Sequence, residues 1–251
     1  MMEIEIKYYE KPKLDNPILV EGLPGVGNVG KLAAEHLANS LGAKKFASIF
    51  SKHLPPQVLI GDDGVVRLVS NDIYYHKSKS SPDLIILVGD YQGTSQEGQY
   101  DLASHIIDVL EEFGGNTIYT LGGWSVGKIV MSPRVLGAAS NKDMVKKLKN
   151  TGVEFSRDEP AGGIVGAAGL LIGLGQLKDM DAACLMGETS GYFSDPKSAQ
   201  AVLEALGKLL DIQIDFTELE AHTKEIEDLT SKLDDLKPEI DKPSDELQYI
   251  G

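Results

Sequence analysis

Pro17-Ile18-Leu19-Val20-Glu21-Gly22-Leu23-Pro24-Gly25-Val26-Gly27-Asn28-Val29-Gly30-Lys31 begins as a short apolar run, passes through four closely spaced glycines and enters a segment with helical periodicity. Residues 17–21 read as a strand apolar on both faces, and 27–41 repeats its apolar residues at three- and four-residue intervals. The glycines between them supply a turn whose backbone is free to take left-handed angles. A strand, a glycine turn and a helix make one unit of an α/β fold.

The same alternation recurs outward along the chain. Apolar runs recur at 45–50, 84–89, 117–121 and 181–186, whereas 96–113, 164–177 and 196–210 are amphipathic at helical spacing. Residues 58–60 and 65–69, joined through Asp62-Asp63-Gly64, predict a hairpin. The expected architecture is a three-layer α/β sandwich with a mostly parallel central sheet, over residues 1–211. Glycine turns at the strand ends then fall on the carboxyl edge of the sheet, where ligands and partners dock.

From 212 the chain changes character. Leu219, His222, Ile226, Leu229, Leu233, Leu236 and Ile240 alternate at spacings of three and four, which predicts an acidic amphipathic helix over 212–237 with a packing seam. Pro238 ends it, and 238–251 reads as a flexible tail in which 242–246 is a spacer before Leu247-Gln248-Tyr249-Ile250-Gly251. That ending has the form of an anchor peptide, with Leu247, Tyr249, Ile250 and Gly251 as its contact residues. Twelve Asp or Glu against four Lys from Ile214 to Gly251 make the tail acidic. The chain's net charge of −14 argues against a nucleic-acid surface. No apolar stretch reaches the roughly 20 residues that a membrane span needs, and the N-terminus lacks a secretory signal, so a cytoplasmic location is expected.

Three patterns resemble catalytic sites. Gly25, Gly27, Gly30 and Lys31 satisfy both G-x-G-x-x-G and G-x-x-x-x-G-K, making 25–31 a candidate anion or ligand loop. Leu32 stands where a phosphate loop has Ser or Thr, and the stretch 44–52 lacks the acid that holds a ribose. The competing reading is a tight turn that lets the helix pack closely, and a small-molecule or nucleotide-binding enzyme is kept as an alternative. Gly123-Trp124-Ser125-Val126-Gly127 matches a nucleophile elbow, yet the one downstream histidine, His222, lies in the charged tail. A serine hydrolase acting through Ser125 is therefore the weaker alternative. His36, His53, His76 and His105 are scattered without metal-ligand spacing, and no metal or cofactor is expected. Asp90 reads as a turn cap or an acid after its strand, Glu188 as a loop residue, and the single Cys184 as a small buried apolar side chain.

Several of these segments together carry a resemblance. Glu21 through Gly30, Val88-Gly89-Asp90, Leu121-Gly122-Gly123, Gly162-Gly163-Ile164-Val165-Gly166 and Gly187-Glu188-Thr189-Ser190-Gly191-Tyr192 with Asp195-Pro196 resemble the proteasome assembly chaperone 2 family over roughly residues 1–211. The resemblance implies an α/β sandwich of nucleoside-phosphorylase-like topology and no catalytic activity. It also implies a homo-oligomer that, like archaeal homologues, engages proteasome α subunits or the α ring without ATP. Archaeal members use a C-terminal hydrophobic-Tyr-any ending as their anchor. Here Tyr249 stands third from the end, after Gln248, which departs from that pattern.

Overall fold

The computed structural model describes residues 3–156 and 162–226. In chain order its elements are β1 (Ile4–Tyr8), β2 (Ile18–Gly22), α1 (Val29–Ser40), β3 (Lys44–Ser51), β4 (Val58–Ile60), β5 (Val66–Leu68), β6 (Asn71–His76), β7 (Leu84–Gly89), α2 (Gln96–Glu112), β8 (Thr117–Ser125), β9 (Val135–Ala139), α3 (Lys142–Lys149), α4 (Ala167–Leu177), β10 (Asp181–Thr189) and α5 (Pro196–Leu210). Residues 217–226 are helical as well.

Eight strands form one sheet in the order β1-β3-β6-β7-β2-β8-β10-β9, and β4 and β5 pair as a separate ribbon. The middle four strands, β7, β2, β8 and β10, run parallel. The flanks are antiparallel: β1 on β3, β3 on β6, β6 on β7 at one side, and β9 on β10 at the other. No helix separates β3 from β6, where only the β4–β5 ribbon intervenes, or β6 from β7, and short connections of this kind suit antiparallel pairing. The sheet is therefore mixed, with its parallel part at the centre.

Side chains of the central strands alternate between two cores. Leu84, Ile86 and Val88 of β7 pack with α1, α3 and α5, while Ile85 and Leu87 pack with α2 and α4. Helices thus cover both faces, which gives the three-layer sandwich. The helix starts follow their caps. Ser95 Oγ accepts from Gly98 N (3.0 Å), Asn141 Oδ1 from Met144 N (2.9 Å), and Asp195 Oδ1 from Ser198 N (2.9 Å), with Pro196 in the first turn. Ser95, not Asp90, caps the helix after β7.

Two expected helices start late for a stated reason. Gly27 and Asn28 are left-handed (φ 59° and 49°), so a 3₁₀ turn over Val26–Asn28 precedes α1, and Gly166 (φ 88°) delays α4 to Ala167. β8 and β10 run on to Ser125 and Thr189, beyond the expected 121 and 186, because they pair with each other along their whole length. Strands β1, β6 and β9 and helix α3 are additions to the expected set.

Candidate functional site

The carboxyl ends of the parallel strands meet in a cavity of about 600 Å³. Two registers set the row beneath it, of which Glu21 and Cys184 belong to the lining. Glu21 of β2 lies beside Thr120 of β8, which lies beside Cys184 of β10, so a polar row crosses an otherwise apolar sheet face. Leu23, Gly122, Trp124 and Met186 line the cavity together with residues 163–166 and Ala168. Gln92 staples the rim: its Nε2 donates to Pro24 O (2.7 Å) and its Oε1 accepts from Ala167 N (3.0 Å).

Glu21 is 1% exposed. Its Oε1 accepts from Leu23 N (3.1 Å), but Oε2 has no hydrogen-bond partner. Burial pushes this carboxyl up to about 8, against the smaller opposing effect of the Leu23 amide. The Cys184 thiol is fully buried and pushed up to about 12, chiefly by burial, with a hydrogen bond from Thr120 opposing and the Glu21 charge adding to the rise. Glu21 and Cys184 are the titratable side chains of the lining, and no Lys, Arg or His belongs to it among the described residues.

The glycine loop has a packing role in this geometry. A Cβ on Gly22 would stand 2.1 Å from Gly30 O, and one on Gly30 would stand 2.1 Å from Leu121 O. These residues let α1 enter directly against β8, as the close-packing reading holds. Gly25 and Gly30 line the cavity, whereas Gly27 packs on Thr189. Lys31 turns away to Glu35 (3.6 Å) on the next turn of α1.

Ser125 also reaches the cavity, at the end of a regular strand rather than in a left-handed elbow. Its hydroxyl donates to Ser190 O (3.0 Å), and no imidazole is hydrogen-bonded to it among the described residues. Asp90 receives both guanidinium nitrogens of Arg67 (2.6 and 2.8 Å) and the Ser70 amide (3.1 Å). Burial alone would raise its carboxyl; these bonds outweigh that and hold it below its ordinary range. Glu188 is bound by Arg134 through Nε (3.0 Å), Nη2 and the backbone amide (3.2 Å), which likewise keeps it ionised. Both carboxylates are held in place by an arginine. No group of three or more His, Cys, Asp or Glu is arranged to hold a metal ion among the described residues.

The seam begins on this body. Asp211, left-handed at φ 54°, ends α5, and the chain turns back so that Phe216 stacks on His36 of α1 (centroids 6.0 Å, 13°) and His36 Nε2 meets Asp215 O at 2.6 Å. Leu219 is then buried in the core shared by α1 and α5, and Ile226 is half-buried. Leu229, Leu233, Leu236, Leu247, Tyr249, Ile250 and Gly251 lie outside the described residues. Glu21 is the residue that the sequence pattern did not single out. Its signal was an acid two positions after Leu19, which puts its side chain on the same covered face.

Comparison with known proteins agrees with the fold. Residues 19–234 match the model of the PAC2 family. The chain is 44% identical over 211 residues to the protein MJ1210 of Methanocaldococcus jannaschii, which covers 84% of this chain and 80% of that protein. Among solved structures, Pyrococcus furiosus PbaB, described as an archaeal proteasome activator, matches with a TM-score of 0.89 at 44% identity, over 93% of this chain and 100% of that one. Pyrococcus furiosus PbaA, described as an archaeal homolog of proteasome-assembly chaperone, matches with a TM-score of 0.78 at 25% identity, over 95% and 94% of the two chains.

Proposed function

The chain belongs to the PAC2 family, and from that premise we propose that it is a non-catalytic, ATP-independent assembly chaperone or adaptor for the proteasome α ring. The observation that carries the reading is the 44% identity, over nearly the whole chain, to a structure described as an archaeal proteasome activator. In this reading the α/β body forms a homo-oligomer in the cytoplasm and the C-terminal peptide, through Leu247, Tyr249, Ile250 and Gly251, reaches the α subunits.

Two features support the division of labour. The β4–β5 ribbon and its turn expose Val58, Ile60, Val65, Val66 and Leu68, a group of apolar side chains as expected of a face that meets another copy. An anchor of a few apolar side chains, at about 1.5–3 kcal/mol each, binds weakly once its ordering cost is subtracted. Several such anchors on one oligomer raise the avidity without any new contact.

Deleting residues 247–251 tests the mechanism. The full chain is expected to retain purified archaeal α rings in a pull-down and the deleted chain to lose them, with the oligomer unchanged on sizing. Undiminished retention removes the peptide from the mechanism.

A further inference from the structure

The cavity at the carboxyl edge of the sheet has a feature that docking of a protein partner does not use. It is apolar on most of its walls, carries the indole of Trp124 on one side, and has a buried carboxyl with a free oxygen at its floor. A buried acceptor left without a partner is costly. Glu21 lies between Leu87 of β7 and Thr120 of β8, and shares the cavity lining with Cys184 of β10, Ala168 of α4, Gln99 of α2 and the neutral rim residue Gln92. None of them brings a positive charge.

We propose that this cavity binds a small organic ammonium ion, its N–H groups on the Glu21 carboxylate and its apolar body against Trp124, Leu23 and Met186. The chemistry selects among ligand classes. An anion would meet no cationic side chain in the described lining. A wholly apolar molecule would leave Glu21 Oε2 as it is. A cation gains the carboxylate, and Trp124 elsewhere in the lining offers its apolar body an aromatic surface. The chain's net charge of −14 also concentrates cations around the molecule. Oε2 is closed to bulk water, so the carboxyl must rotate from the floor into the lumen, a side-chain change of the kind binding commonly brings.

Proton linkage gives the site a signature. Burial pushes the Glu21 carboxyl up to about 8, and the ammonium ion binds its ionised form. Affinity should therefore rise about ten-fold per pH unit between pH 6 and 8, then level off.

Benzylamine, benzyl alcohol and benzoate test this, because they share one apolar body and differ in charge. With the full-length protein, calorimetry is expected to show benzylamine binding with a dissociation constant on the order of millimolar, with the alcohol and the benzoate at least about ten-fold weaker. Glu21→Gln should abolish both the preference and the pH dependence. No binding of benzylamine at tens of millimolar, equal binding of the alcohol, or a pH-independent affinity would each overturn the proposal. The three-ligand comparison and the pH series use the unaltered chain, so they decide the matter even if the variant does not fold.

Discussion

Glu21 carries an electrostatic cost that solution pH can expose. Its carboxyl is ordinary, near 4.5, in the unfolded chain and is pushed up to about 8 by burial in the folded one. Below the first value it is neutral in both states. Between the two the folded protein keeps a proton that the unfolded chain releases, so stability falls as pH rises, by roughly 1.4 kcal/mol per pH unit, and it is flat again above about 8. Glu21→Gln should remove that slope and gain on the unaltered chain by up to about 4 kcal/mol from pH 5 to 8, read as the shift in urea midpoint. Parallel curves for the two proteins would mean that the carboxyl is solvated in solution. The sequence allowed residues 17–21 to be read as a strand covered on both faces. For such a strand every position is inside, so alternation gives no warning that one of the covered residues is an acid. Gly22 and Gly30 were more legible, since glycine spaced along a strand-to-helix turn has few uses besides left-handed angles and close approach.

At the scale of elements, legibility follows how local the burial is. α5 matched its expected bounds because Asp195, Pro196 and the apolar stripe all lie within it. Strand β6 did not stand out. Asn71, Asp72 and His76 make it polar in sequence, and it is a strand because β3 and β7 pair with it on both sides. Strand β9 depends likewise on β10, and α3 is only eight residues long. The C-terminal seam was legible as a packing stripe without its partner. The structure supplies a partner for its first member: Leu219 fills a place on α1 and α5, held there by the stacking of Phe216 on His36. Leu219→Ala should cost about 2–4 kcal/mol in chemical denaturation, the usual range for a buried leucine. A cost below about 0.5 kcal/mol would place this residue among surface substitutions and argue that the segment undocks in solution.

For the molecule as a whole, the layers could be read from alternating strands and helices, but the strand order could not. Strand β2 sits between β7 and β8, and β6 beside β3, through contacts far apart in the chain that no local pattern encodes. The cavity was invisible for the same reason, since its lining is drawn from β2, β8 and β10 and from loops far apart in the chain. That lining also gives the protein an internal clock. Cys184 is the chain's single thiol, covered at the cavity's floor and pushed up to about 12 by burial, so a reagent that attacks thiolates, even one small enough to enter the cavity, reacts with it quickly only when the packing around it opens. The rate of iodoacetamide labelling, followed by mass spectrometry, should then be slow in native buffer and climb in step with unfolding as urea is added. Labelling as fast as that of a free cysteine would reveal breathing of this corner that the static packing does not suggest.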